Sequence, residues 1–269
     1  MKTVLITGAS SGIGKATAIF LAQNGYNVYA TARRVERMEE LKTLGIKPLF
    51  LDVTKEEGLV ACVEQILVEA GRIDILINNA GSGYYGALED MPMSDAKYQF
   101  DVNVFSAARL MQLVLPAMRA NKYGKIVNIS SIGGKVTLPM GVWYHASKFA
   151  IEGLSDALRK EVKQFGIDVI VIEPGGTKSE MTGLGTEYLN RISGKTAYGH
   201  LAKGVSKMYA ATEKNASDPI VIARLIKKSI EAKRPGARYA GASGAKLMLF
   251  LKTILSDRMF DKLIMSQMK

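Results

Sequence analysis

The 269 residues are 48% hydrophobic, enough to bury one full α/β core, and no repeat, low-complexity tract or Pro/Gly/Ser-rich linker divides them. A single cysteine, Cys62, excludes an internal disulfide framework and fits a reducing compartment, so a cytoplasmic location is expected; two histidines, His145 and His200, are too few for a histidine-based metal site, and no metal is expected. The net charge of +11 is unevenly placed: residues 1–176 hold 19 Lys+Arg against 18 Asp+Glu, a difference of +1, whereas residues 177–269 hold 17 against 7, a difference of +10.

The chain opens on Lys2-Thr3-Val4-Leu5-Ile6-Thr7, a β-branched run that reads as a strand over 2–7 and leaves no room for a signal peptide before it. Gly8-Ala9-Ser10-Ser11-Gly12-Ile13-Gly14 follows at once, then a helical pattern over 12–24 with Ala16, Ile19, Phe20 and Leu21 on one side. Strand, glycine-rich turn and helix make a phosphate cradle: the glycines let backbone approach a pyrophosphate, and the helix N-terminus faces its charge. The plainer alternative is a tight βα turn with no ligand. A strand near 26–31 ends at Ala32-Arg33-Arg34, a helix is expected near 35–43, and a strand near 47–51 leads into Asp52 and Val53. A helix near 56–70 precedes an apolar strand near 73–77, which ends in Asn78-Asn79-Ala80-Gly81; the two amides suit either a turn or the crevice at the strand ends of an α/β sheet. A long helix near 95–121 holds Asn103 in its interior, where asparagine is disfavoured.

A strand near 124–130 delivers Ser130 and Ser131, and a helix near 143–165 begins with Tyr144-His145-Ala146-Ser147-Lys148. Tyr144 and Lys148, four apart, leave one helix face a turn apart. A phenol titrates near ~10, and an adjacent ammonium favours its phenolate, so the pair suits proton exchange with a carbonyl or alcohol oxygen. His145 points about 100° away and is read as non-catalytic. A strand near 167–173 runs into Pro174-Gly175-Gly176-Thr177-Lys178-Ser179. Residues 177–217, punctuated by Gly183, Gly185, Gly194, Gly199 and Gly204, read as a mobile lid over a substrate site. A last strand is expected near 237–241. The tail 245–269 is apolar almost all round when drawn as one helix, which predicts burial against the body or at a subunit contact rather than a position on a membrane. No apolar run reaches the ~20 residues of a spanning helix. The alternation of strand and helix predicts a doubly wound, Rossmann-like parallel sheet in a single domain, 1–269.

Thr7-Gly8-x-x-x-Gly12-x-Gly14, Asn78-Asn79-Ala80-Gly81, Asn103, Ser131, Tyr144-x-x-x-Lys148 and Pro174-Gly175 occur in one order and at one set of intervals. In this the chain resembles the short-chain dehydrogenase/reductase family, strongly over residues 2 to 181, and over Ser131 to Leu154 it most resembles hydroxysteroid and retinol dehydrogenases and related bacterial reductases. The resemblance implies reversible hydride transfer between a nicotinamide and a carbonyl or secondary alcohol, with a lipophilic substrate. Tyr144 would be the general acid/base, Ser131 would hold the substrate oxygen, and Lys148 would hold the nicotinamide ribose and depress the Tyr144 pKa. Asn103 would hold a water linking Lys148 to solvent. Gly8, Ser10, Ser11, Gly12, Ile13 and Gly14 would bind the cofactor, with Asp52 and Val53 at the adenine, Asn79, Ala80 and Gly81 along the cleft, and Pro174, Gly175, Thr177 and Ser179 at the nicotinamide. NAD-dependent relatives place an acid after the second strand; Ala32, Arg33 and Arg34 stand there instead, which favours NADP(H) over NAD(H). The family usually pairs through two long helices, here 95–121 and 143–165, into homodimers or homotetramers. Competing functions are a non-catalytic NADP(H)-binding regulator and an acyl-lipid or acyl-phosphate ketone reductase. For the basic last third, the readings are a solvated surface, or an anionic substrate or peripheral membrane contact. Nucleic acid is not expected, since no binding motif or aromatic platform is present.

Overall fold

A computed structural model of the chain describes residues 1–268. β1 (Thr3–Thr7), β4 (Ile75–Asn78), β5 (Gly124–Ile129) and β6 (Ile167–Pro174) are almost wholly buried, as strands covered on both faces must be. β2 (Asn27–Ala32) lies beside β1, and β3 (Lys47–Phe50) and β7 (Arg238–Gly241) form the half-exposed edges. All seven strands run parallel in the order β3-β2-β1-β4-β5-β6-β7. The order reverses between β1 and β4, so the ligand crevice of this architecture opens at the carboxyl ends of those two strands.

The two-residue period of a strand divides the core. Val4 and Ile6 face one side, under α1 (Gly12–Gln23), a 3₁₀ segment (Val35–Leu44) and α8 (Ile220–Glu231). Leu5 faces the other, under α2 (Glu56–Ala70), α4 (Ser106–Ala120) and α5 (Val142–Val162). Cys62 on α2 is buried and free, and burial pushes its thiol up to about 11, so it is packing rather than chemistry.

Four expectations need correction. The helix expected near 35–43 is 3₁₀ over Val35–Leu44, because only Met38 and Leu41 reach the core. The helix expected over 95–121 is α3 (Met93–Phe100), a π turn (Asp101–Phe105) and α4, with Asn103 buried in the π turn. The 177–217 stretch is not a glycine loop but two helices, α6 (Glu180–Ser193) and α7 (Gly199–Lys214); Gly185 lets α6 close on the Tyr85 ring, and Gly204 lets α7 close on the backbone of Met268. The tail is two helices, α9 (Ala245–Ile254) and α10 (Asp257–Ser266), separated at Leu255 and Ser256. α10 buries Phe260 and Ile264 against Val136, Met140 and Val205, but the outward side of both helices is exposed. A ten-residue helix cannot bury its whole circumference against one neighbour, so the all-round apolar pattern gives one buried face and one bare one. Lys269 lies outside the described residues.

Candidate active site

The crevice at the switch point is closed by the side chains that the sequence places there. Thr7 Oγ1, at the end of β1, accepts from the backbone N–H of Asn79 and of Ala80, each at 3.0 Å. Asn79 Nδ2 donates back to the carbonyls of Thr7 (2.9 Å) and Gly8 (3.1 Å). Asn78 points into the core instead and donates to Asn128 Oδ1 at 2.8 Å. A methyl group on Gly14 would collide with the Gly8 carbonyl and the Asn79 amide, so that glycine is required by close approach. Gly8 and Gly12 have φ of +68° and +53°, and Ser11, at the N-cap of α1, accepts no capping hydrogen bond. The first turn of α1 therefore presents its N–H groups to the crevice, an arrangement suited to a pyrophosphate.

A cavity of about 970 Å³ runs from this turn past the ends of β2, β4, β5 and β6. All four expected catalytic residues lie along or beside it. Tyr144 lies in the first turn of α5 with its hydroxyl close to that of Ser131, which accepts from Gly133 N–H at 3.0 Å. Burial raises the phenol above its ordinary value, and the Ser131 bond works the other way. Ser130 Oγ is turned beneath, against Gly134, so Ser131 is the serine that meets the phenol. Lys148 Nζ lies 5.9 Å from the Tyr144 ring centroid and donates to the Ile129 carbonyl at 2.9 Å. Burial pushes Lys148 down to about 8, against the pull of Glu152. The expected depression of Tyr144 by Lys148 is thus not what this geometry gives: desolvation dominates, and the lowering partner is Ser131.

The Asn103 carboxamide is tied to protein groups rather than left to carry water. Its Oδ1 accepts from Ser82 N–H (2.8 Å), and Nδ2 donates to the Ser82 carbonyl (3.0 Å) and to Ser147 Oγ (2.9 Å). Ser147 in turn donates to the Tyr144 carbonyl at 2.7 Å. Asn103 therefore pins the loop after β4 to the first turn of α5. His145 plays a matching part that sequence reasoning missed: Nε2 accepts from Leu138 N–H and Nδ1 donates to the Gly133 carbonyl, both at 3.0 Å. It clamps the loop that carries Ser131. The bonds of Thr7 and His145 were not legible in the sequence, because their partners Asn79, Ala80, Leu138 and Gly133 lie in other segments.

At the adenine end, burial works to raise the Asp52 carboxyl, but Thr54 N–H and hydroxyl, with Arg33 and Lys55 nearby, hold it below its usual range. Arg33 is exposed and donates to Tyr98 OH at 2.8 Å. Arg34 lies 3.4 Å from Ser10 Oγ and 3.5 Å from Ser11 Oγ, and pairs with Glu180 at 2.9 Å. Arg37 meets the same carboxylate at 2.6 Å. Ile13, Val53 and Gly81 line the cavity, as do Pro174, Gly175 and Thr177 at the end of β6. Ser179 packs across the crevice 3.7 Å from where a Gly12 Cβ would stand. The residues present fit a dinucleotide lying along the cavity between Asp52 and Tyr144.

The family comparison agrees with that geometry. The sequence profile of the short-chain dehydrogenases matches residues 2–188. The chain belongs to the short-chain dehydrogenase/reductase family. It is 38% identical to the 3-ketodihydrosphingosine reductase of Bacteroides thetaiotaomicron, over 87% of this chain and 86% of that one. It is 32% identical to an NADPH-dependent 3-dehydrocapnine reductase of Ornithobacterium rhinotracheale, over 100% and 98%. A short-chain dehydrogenase from Streptomyces avermitilis superposes with a TM-score of 0.84 at 31% identity, covering 98% of this chain and 96% of that one. The enzyme is an oxidoreductase of CH–OH and C=O groups that uses a nicotinamide nucleotide.

One turn along α5 from Lys148, the buried carboxylates Glu152 and Glu173 meet part-exposed charges. Arg238 on β7 meets Glu152 (2.9 Å), Asp156 (2.7 Å) and Glu173 (3.5 Å), and Lys135 meets Glu152 at 3.2 Å. Burial, with Glu152 beside it, pushes the Glu173 carboxyl from 4.5 up to about 7, against Arg238 and Lys135. A carboxyl whose folded pKa exceeds its unfolded one supports the fold fully below the unfolded value, and that support is lost as pH rises through the folded value. Wild type is therefore expected to lose on the order of 2–3 kcal/mol from this group between about pH 4.5 and about pH 7. Glu173→Gln should flatten that part of the stability profile, measured by denaturant unfolding across pH. An unchanged slope in the variant would contradict the assignment.

Proposed function

We propose that the protein reduces the ketone of a long-chain lipid with NADPH. The observation that carries this reading is the lining of the cavity: Val136, Leu138, Met208, Met248 and Ile264 line it and pack in one cluster with Tyr144, an apolar arm of the site. An arm of that lining fits an alkyl chain attached to the reacting carbonyl. The Bacteroides and Ornithobacterium relatives, named as reductases of 3-ketodihydrosphingosine and 3-dehydrocapnine, support it.

When bound, the nicotinamide supplies the hydride for the carbonyl carbon. Ser131 and Tyr144 present two hydroxyls to the carbonyl oxygen, stabilise its developing charge, and Tyr144 delivers the proton. Because burial raises the Tyr144 pKa, the phenol is protonated at neutral pH, the state that reduction needs. Lys148 stands to receive the nicotinamide ribose hydroxyls, and Asn103 and His145 fix the helix and loop that bring Tyr144 and Ser131 together. Arg33, Arg34, Ser10 and Ser11 receive the adenosine 2′-phosphate. α6 and α7 form the lid, held at its first residue by the Arg34–Glu180–Arg37 pairs. Two copies pair across α4 and α5, beside which Phe105 and Phe149 are left exposed, in a cytoplasmic enzyme.

The test is NADPH consumption against a panel of ketones: 3-ketodihydrosphingosine, simple alkyl ketones of rising chain length, a steroid ketone, retinal and a phosphorylated short ketone. Each methylene taken into the arm is worth ~0.8 kcal/mol, about fourfold, so kcat/KM should climb with chain length until the arm is full. A flat response to chain length, or a preference for the short phosphorylated ketone, would overturn the long-chain reading while leaving NADPH-dependent reduction in place.

A further inference from the structure

The exposed side of the tail helices has a composition that the catalytic site does not explain. On α9, Leu247, Phe250 and Ile254 stand at i, i+3 and i+7, one continuous stripe, exposed by 61%, 59% and 57%. On α10, Met259 and Met265 are exposed by 56% and 45%, interleaved with the exposed cations Arg258 and Lys262 and the exposed carboxylate Asp261. Lys246 stands beside the stripe at the start of α9. Lys252 is tied to Asp257 at 2.6 Å and joins the two helices. Met248, Leu251, Leu255, Phe260 and Ile264 pack into one common cluster, so both helices sit on the same part of the body with their other sides bare.

We propose that this face docks on an anionic lipid bilayer. An apolar stripe bordered by lysine and arginine is the composition of a helix lying in the headgroup plane, with apolar groups at the acyl boundary and cations at the phosphates. Ten-residue helices of this kind lie on a membrane; no helix among the described residues is long and apolar enough to cross one. The charge selects this occupant over a second copy of the chain. Exposed Lys246, Arg258 and Lys262 outnumber the exposed Asp261, and Lys252 and Asp257 offset each other, so the face carries a net positive charge that a second copy of the same face would repel. The surrounding third of the chain, at +10, adds to the attraction of a negative surface and to the repulsion of itself.

The face is also continuous with the active-site cavity. Met248 and Ile264, on the inner sides of α9 and α10, wall the apolar arm, and the exposed residues Gln267 and Leu184 stand at its border. Docking would bring the mouth of that arm to the lipid boundary, so that an alkyl ketone passes from the bilayer into the enzyme without crossing water. This last step rests on the long-chain reading above; the docking itself does not.

Two arms separate the claims. The full-length protein, without substrate, is sedimented with vesicles of phosphatidylcholine alone and with vesicles containing equal phosphatidylglycerol. Binding is expected only to the anionic vesicles and should fall as salt shortens the screening length from about 10 Å to about 3 Å. Each cation near an anionic surface is worth about a factor of five, so the triple reversal Lys246→Glu/Arg258→Glu/Lys262→Glu should weaken binding by about 100-fold or more. Leu247→Ser/Phe250→Ser should weaken it by at least about tenfold. Circular dichroism and NADPH binding must match wild type in both variants; should either fail to fold, the single change Phe250→Ser is read instead. Equal binding to neutral vesicles, or variants that bind like wild type, would overturn the proposal. So would a wild-type oligomer that Phe250→Ser dissociates while no vesicle pellets protein, since the face would then join copies of the chain. In the second arm, reduction of a long-chain ketone presented in anionic vesicles should drop in the charge variant while reduction of a soluble ketone does not. If vesicle binding holds but no long-chain ketone is reduced, the docking stands and the substrate reading falls.

Discussion

Tyr144→Phe is expected to leave folding and NADPH affinity in place and to lower turnover by about 10²–10⁴-fold, the range for loss of a positioned general acid. The ring carries the packing: it lies 5.4 Å from the Tyr85 ring and 5.6 Å from the His145 ring, centroid to centroid, and phenylalanine keeps both contacts. Only the hydroxyl that meets Ser131 is removed. The same geometry fixes the pH dependence. Since burial raises the phenol, the reductive kcat of wild type should hold steady through neutral pH and decline only on the alkaline side. Stopped-flow NADPH consumption by wild type and variant measures both, and near-wild-type turnover in Tyr144→Phe would end the assignment of Tyr144 as proton donor.

The sequence and the structure agree where chemistry imposes a pattern along the chain. The glycine turn after β1, the amides after β4, Ser131 after β5, and Tyr144 and Lys148 on α5 were all legible, because each sits at a strand end or one helical turn from its partner. The seven strands were legible too, since burial on both faces makes the central ones continuous apolar runs. What escaped was set by contacts between segments far apart in sequence. Glu180 reads as an ordinary first-turn acid of α6, and nothing local shows that α6 folds back onto Arg34 and Arg37. Asn103 was singled out, yet its bonds to Ser82 and Ser147 could not be foreseen. The glycines of 177–217 were misleading because close helix packing and loop flexibility draw on the same residue. The tail was misleading for a related reason: a helical wheel shows which faces are apolar, not how many of them the body can cover.

Cofactor choice gives the other large effect. Arg34 is already matched by Glu180, and Arg33 pairs with no carboxylate among the described residues, donating only to Tyr98 OH. On the NADPH reading proposed above, Arg33 is the cation left for an adenosine 2′-phosphate, with Arg34 next to it and Ser10 and Ser11 beside Arg34. A charge-assisted bond to one phosphate is worth roughly 1.5–3 kcal/mol, about one to two decades in affinity. Arg33→Ala should weaken NADPH by that much and leave NADH almost unchanged. Arg33→Ala/Arg34→Ala should weaken it further, since it takes both guanidinium groups away. Ala32→Asp should have the largest effect. Ala32 ends β2 and lines the crevice, so an aspartate there repels the phosphate and offers the 2′-hydroxyl of NADH an acceptor. Titration of both cofactors, by fluorescence or calorimetry, against wild type and the three variants should show the preference narrowing with each arginine removed and reversing with Ala32→Asp. A wild type that binds NADH as tightly as NADPH would place both arginines on the solvated surface. So would an Arg33→Ala that weakens the two cofactors equally, since that loss could not come from a phosphate that only one of them carries.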